Sequence, residues 1–103
     1  MDLWCADAAP LERVEPLRST LAAALVEAGA TVLHTHFHQF EPHGFTGVFI
    51  ISQSHLTAHS WVEERLLAVD LFSCGDLRWP VVLEALRSVL RPIREQVRHA
   101  ERG

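Results

Sequence analysis

The sequence contains no lysine, and all nine of its basic residues are arginine. Enzymes that use pyridoxal phosphate hold this cofactor as a Schiff base on a lysine, so this chain cannot anchor the cofactor itself. Any carbonyl group that serves as an electron sink must therefore have another source. Long apolar runs are absent as well, since none approaches the roughly 20 residues that a membrane span needs. We therefore expect no membrane association.

Cysteine is scarce, with two residues in the chain, and the opening residues show no signal-peptide pattern. A disulfide framework therefore has no support, and we expect a protein of the reducing cytoplasm. The length of 103 residues, with 49% hydrophobic and 21% charged residues, is typical of one small globular domain that covers residues 1–103.

Charge is distributed unevenly along the chain, whose formal net charge is −4. Residues 81–103 carry five arginines and three acids, whereas residues 1–80 carry four arginines and ten acids. An arginine-rich end is compatible with nucleic-acid binding, but cations balanced in this way by carboxylates are more typical of a solvated surface. We therefore expect no nucleic-acid partner.

Hydrophobic periodicity predicts a strand, a helix, three or four strands, a second helix and a last strand. The first helix begins at Pro16, a residue suited to the first helical position, and ends at Gly29; the second carries apolar residues over 82–90. The predicted strands cover 1–5, 30–40, 45–53, 55–62, 66–73 and 93–99. This order predicts an α+β two-layer sandwich, with a mainly antiparallel sheet and two helices packed on one face.

Three histidines, His34, His36 and His38, fall on one face of the strand predicted at 30–40. Imidazoles in such a row resemble metal ligands. Ligands only two residues apart on one strand rarely close a tetrahedral site without help, so we interpret the row as a partly wet surface. No metal site is predicted.

The stretch over 44–75 places polar side chains among alternating apolar residues instead of in a polar loop. In a strand over 55–62, His55, Thr57, His59 and Trp61 share one face, so polar groups line a surface there. From the residues alone, Ser54 could be an ordinary serine at a strand end. Cys74 could equally be a small buried hydrophobe, and the aromatic residues could belong to the core.

Three spaced motifs in this stretch identify a family. They are GFTGV at 44–48, QSHLTAHSWVE at 53–63 and AVDLFSCG at 68–75, with weaker similarity through GATVL, FHQFEPHG and the HAERG ending. The chain resembles the proenzymes of the prokaryotic S-adenosylmethionine decarboxylases, which serve spermidine biosynthesis. The resemblance implies a homodimer with S-adenosylmethionine as its small-molecule substrate.

The resemblance also implies a self-made cofactor. Ser54 matches the serine that attacks the carbonyl of the preceding residue and becomes a pyruvoyl group, so Gln53–Ser54 is the predicted cleavage site. His59 matches the acid or base of this processing, a task for which imidazole side chains are well suited. Thr46 stands where the family commonly has a hydrogen-bonding serine. Cys74 matches the cysteine that returns a proton to the substrate after carbon dioxide leaves.

For the substrate, Phe40 and Trp61 match aromatic residues around the adenine, and Glu63 matches an acid that binds ribose hydroxyls. A carboxylate at that position also favours a sulfonium cation. His55 directly follows the serine, as in the family, and a supporting role is implied for it.

Within residues 44–75, the chain departs from the family pattern at two places. Gln53 replaces the family's acid before the serine, and the family's W-P-E-Y-G-Y becomes WVEERL at 61–66. Two alternatives therefore stay open. One is a pyruvoyl-dependent decarboxylase of ornithine or arginine, and the other is a non-cleaving, non-enzymatic paralogue that acts as a binding or regulatory partner.

Overall fold

The structure is a computed structural model that describes residues 1–73 and 75–100. Within these residues, six strands form one sheet in the order β2-β3-β4-β5-β1-β6, and all paired neighbours are antiparallel. The elements in chain order are β1 (Asp2–Trp4), α1 (Ala9–Glu12), α2 (Leu17–Glu27), β2 (Val32–Gln39), β3 (Phe45–Ile51), β4 (Ser54–Trp61), β5 (Leu66–Phe72), α3 (Trp79–Leu90) and β6 (Arg94–Gln96).

The predicted α+β class is confirmed, with two long helices and the single-turn helix α1 in the described residues. Some boundaries differ from the prediction. Pro16 precedes α2 as its N-cap residue instead of being its first helical residue, and the last strand has three residues instead of the seven predicted. Gly29 follows α2 with a φ of 103°, the left-handed conformation that the prediction required.

The core lies between one face of the sheet and the two long helices. Side chains alternate along each strand, so β3, β4 and β5 each turn every second residue towards the helices. Each fully buried leucine in such a core contributes roughly 2 kcal/mol through the hydrophobic effect. The largest fully buried side chains are Phe45, Phe49, Leu3, Leu11, Leu17, Leu21, Leu25, Leu56, Leu67, Leu86, Val69 and Val82.

A glycine makes room for an aromatic cluster in this core. The Phe37 ring packs edge-on against Phe49, with ring centroids 5.4 Å apart, and lies directly over the Gly47 backbone. A Cβ atom at position 47 would lie 2.3 Å from Cε2 of Phe37, closer than atoms can approach. Only a residue without a side chain therefore fits beneath this ring.

The opposite face of the sheet carries exposed apolar side chains. Ile50, Trp61 and Phe72 are 45%, 53% and 42% exposed, respectively. His34, His36 and His38 lie on this open face, opposite Ile50, Val48 and Thr46 in the β2–β3 ladder. The described helices pack on the other face.

None of the helices formed by the described residues is long and apolar enough to cross a membrane.

Candidate active site

The β3–β4 hairpin holds the predicted cleavage site at its turn. Ile51 pairs with Ser54, so the loop consists of Ser52 and Gln53, and Gln53 has a left-handed φ of 63°. The backbone N–H of Ser52 donates a hydrogen bond to the Thr31 carbonyl, 2.9 Å away. The hydroxyl oxygen of Ser54 is buried and has no hydrogen-bond partner among the described residues.

The same hairpin places Thr46 and His59 opposite each other. The Thr46 Oγ1 and His59 Nδ1 atoms are 3.1 Å apart, a hydrogen-bond distance, and both residues are half-buried on the open face. The hydroxyl can donate to a neutral Nδ1, and that arrangement leaves Nε2 carrying the ring proton. The contact therefore fixes the orientation of the imidazole.

Ser54 and His59 do not meet within one chain. Both lie on β4, five residues apart, so their backbones are separated by about 17 Å at 3.3 Å per residue. An odd spacing also places their side chains on opposite faces of the strand. Within one chain, His59, the predicted base, therefore cannot reach Ser54, the predicted nucleophile.

A cleft of about 380 Å³ collects most of the other predicted site residues. Its volume lies within the range of small-molecule sites in proteins. Phe40 and Trp61, which are 47% and 53% exposed, contribute aromatic surface to the lining. The predicted residues in the lining are Phe40, Thr46, His59, Trp61 and Glu63, and His43 and Ser60 join them.

His43 was not among the predicted site residues, yet it contacts the predicted acid of the cleft. Its Nε2 atom lies 3.2 Å from Oε1 of Glu63, and this hydrogen bond lowers the pKa of the Glu63 carboxyl below its ordinary value. Glu63 is therefore a carboxylate at neutral pH, as binding of a cation requires. No sequence signal linked these two loops, because their contact depends on how the hairpins pair.

Gln39 was also missed by the sequence interpretation, although it holds the loop that carries Phe40 and His43. Its side-chain oxygen accepts a hydrogen bond from the Val14 backbone at 2.9 Å. Its amide nitrogen donates to the carbonyls of Glu12 and Gly44, at 2.8 and 2.9 Å. These hydrogen bonds of the Gln39 amide therefore connect the wall of the cleft to the end of α1 and the residues that follow it.

His55 lies at the opposite end of β4 from the cleft. Its ring stacks on Phe72, with centroids 5.6 Å apart and an interplanar angle of 15°. Both residues line a second, wider depression of about 1100 Å³ that also includes Thr57 and Asp70. Cys74 lies outside the described residues, so its predicted role has no structural description.

The three histidines of β2 remain exposed, and His38 packs edge-on against Phe40 with ring centroids 4.7 Å apart. Across residues 1–73 and 75–100, no three side chains of His, Cys, Asp or Glu come together in an arrangement that could hold a metal ion.

Comparisons with known proteins give a consistent result over the whole chain. The family model described as S-adenosylmethionine decarboxylase matches residues 1–103. The S-adenosylmethionine decarboxylase proenzyme of Persephonella marina is 38% identical over 103 residues, which is 99% of this chain and 77% of that protein. The proenzyme of Parasynechococcus marenigrum is 40% identical over 103 residues, which is 100% of this chain and 78% of that protein.

A solved structure is similar as well. The crystal structure of the adenosylmethionine decarboxylase from Aquifex aeolicus matches with a TM-score of 0.79 and 36% sequence identity. The match covers 90% of this chain and 78% of that one.

Proposed function

Because this chain belongs to the S-adenosylmethionine decarboxylase family, we propose that it cleaves itself between Gln53 and Ser54 and then decarboxylates S-adenosylmethionine. The observation that carries the substrate assignment is the cleft that joins two aromatic side chains to the Glu63 carboxylate. Aromatic faces stack on an adenine ring, and a carboxylate attracts the sulfonium cation of this substrate.

The residues around position 54 fit a pyruvoyl group made from the chain itself. The Ser54 hydroxyl has no hydrogen bond to give up among the described residues, and it directly follows the carbonyl that it must attack. Once formed, the group would supply the carbonyl that bonds the substrate's amine and accepts the electron pair released with carbon dioxide. A chain without lysine cannot hold pyridoxal phosphate as a Schiff base, so a carbonyl made from the chain itself fits its composition.

Self-cleavage would proceed by an acyl shift. The Ser54 Oγ atom bonds to the carbonyl carbon of Gln53, the C–N bond between the two residues breaks, and the hydroxyl proton passes to the freed amine. A base then removes the Cα proton of Ser54, and the Cβ–Oγ bond breaks so that Gln53 leaves as a carboxylate. Water hydrolyses the remaining dehydroalanine and releases ammonia, which leaves the pyruvoyl group. Because the backbone carbonyl is attacked, glutamine before the serine does not block this route.

The chain's own His59 cannot be the base for this elimination, since it lies about 17 Å from Ser54 along β4. We infer a homodimer in which His59 and Thr46 of one copy serve Ser54 of the other. The open face of the sheet, on which His59 and Thr46 lie, supports a second copy there, because that copy would bury Ile50, Trp61 and Phe72.

One specific observation favours a second candidate substrate. Glu63 lines the cleft and Glu64 follows it in the β4–β5 turn, and paired acids suit the cationic side chain of ornithine or arginine. The test is a side-by-side assay of carbon dioxide release from the three carboxyl-labelled substrates. We expect release to be fastest with S-adenosylmethionine. Faster release from ornithine or arginine would transfer the assignment to the basic amino acid.

A further inference from the structure

The peptide bond at the proposed cleavage site follows a residue in an unfavourable backbone conformation. Gln53 has a φ of 63°, in the left-handed region where glycine and asparagine are preferred. It is the second residue of a two-residue hairpin loop, because Ile51 and Ser54 pair on either side. Turns with a positive φ at that position favour glycine or asparagine. Glutamine has a Cβ atom and a longer side chain, so the intact turn is strained.

The surroundings prevent this strain from relaxing. On one side of Gln53, the Ser52 N–H is held by the Thr31 carbonyl at 2.9 Å. Ile51, which is 3% exposed, anchors the same strand in the core. On the other side, Ser54 is already paired in the β3–β4 ladder. A strained backbone conformation persists only where the contacts around it hold it in place, and the contacts on both sides of Gln53 do so.

We propose that Gln53 is a positioning residue whose left-handed backbone promotes self-cleavage. The proposal rests on the function proposed above. As the Ser54 Oγ atom bonds to the Gln53 carbonyl carbon and the C–N bond breaks, the backbone amide that holds Gln53 in the turn is replaced by an ester to the Ser54 side chain. The Gln53 backbone can then relax, so the strain is present in the intact chain and is released along the reaction. Strain of this kind lowers the barrier relative to an unstrained turn.

Two variants distinguish the effect of the Gln53 backbone conformation from the effect of its side chain. Gln53→Gly keeps the turn and removes the penalty, because glycine adopts a positive φ without steric cost. Gln53→Ala removes the side-chain amide but keeps a Cβ atom and hence the strain. We expect the glycine variant to cleave about fivefold to tenfold more slowly than wild type. The alanine variant keeps the strained φ and should cleave clearly faster than the glycine variant, and Gln53→Asn should be intermediate between the two.

Arg91 offers a matched control. It is also a non-glycine residue with positive φ, 47°, but it ends α3 far along the chain from the scissile bond. Arg91→Gly makes the same backbone change and should leave the cleavage rate at the wild-type value. Each chain is made by cell-free translation, and the uncleaved fraction is followed over time by intact mass. Thermal melting of the same variants combined with Ser54→Ala verifies that they fold.

The outcomes distinguish this inference from the function on which it rests. Slower cleavage of the glycine variant than of both the wild type and the alanine variant supports the positioning role. A glycine variant as fast as wild type, or alanine and glycine variants that are slowed equally, would overturn it while self-cleavage stands. A wild-type chain that stays whole would overturn both.

Discussion

The distance between Ser54 and His59 leads to a prediction about mixed dimers. If each site combines Ser54 of one copy with His59 of the other, Ser54→Ala and His59→Ala chains should complement each other. In a mixed dimer, one site joins the intact Ser54 of the His59→Ala chain to the intact His59 of its partner. The other site lacks both residues. Cleavage should therefore occur only in the His59→Ala chain, and only in the presence of the Ser54→Ala chain.

The magnitude follows from the symmetry of the dimer. When the two variants are co-expressed in equal amounts and pair at random, about half of the His59→Ala chains lie in mixed dimers. About half of those chains should therefore be cleaved. The separation of about 17 Å along one strand excludes direct proton transfer within a chain, because a general base must approach to hydrogen-bond distance.

The assay uses an affinity tag on the His59→Ala chain, so that intact mass reports this chain alone. Each variant expressed singly is the control and should remain whole. Wild-type chain co-expressed with tagged His59→Ala chain provides a second control, since it also supplies an intact His59. A tagged His59→Ala chain that stays whole in both mixtures would refute the shared site, as would one that cleaves when expressed alone.

Three further predictions concern the core, the cleft and the proton donor. Gly47→Ala should destabilise the fold by about 1–3 kcal/mol in chemical unfolding of the uncleaved Ser54→Ala chain, because the new methyl group clashes with the Phe37 ring; unchanged stability would contradict this packing. His43→Ala should raise KM about twofold to fivefold with little change in kcat. The loss of binding on acidification should then begin at a higher pH, since the lowered pKa of Glu63 returns towards its ordinary value; an unchanged pH profile of KM would contradict the contact. Cys74→Ala should cleave nearly normally yet decarboxylate about 10²-fold more slowly, and an unchanged turnover rate would remove its role as proton donor.

Alternation along the strands was predictable from the sequence and is confirmed. The prediction that His55, Thr57, His59 and Trp61 share one face of β4 agrees with their burial, since Leu56 and Ala58 between them are buried. The same alternation separates Ser54 from His59, because five residues of one strand cannot bring their side chains together. The proposal that a second copy completes the site follows from this spacing.

Contacts between residues distant in sequence were not predictable in the same way. Thr46 meets His59 only because the hairpin turns at Ser52 and Gln53, and this turn lacks the glycine or asparagine that usually marks such a loop. The sequence predicts a strand that continues to residue 53. Such a strand does not reveal which residues of β3 and β4 pair with each other. His43 and Glu63 lie in two different loops, 20 residues apart, so only the three-dimensional pairing of the hairpins reveals their contact.

The most direct test of the proposed function is the mass of the purified chain. The wild-type protein should appear as two fragments, residues 1–53 and 54–103, after incubation under folding conditions. The second fragment should lack a free amine and be lighter by one ammonia than simple hydrolysis would make it. The Ser54→Ala chain should remain whole at 11.6 kDa. A wild-type chain that remains a single full-length species after prolonged incubation would contradict the assignment of this protein as a self-processing decarboxylase.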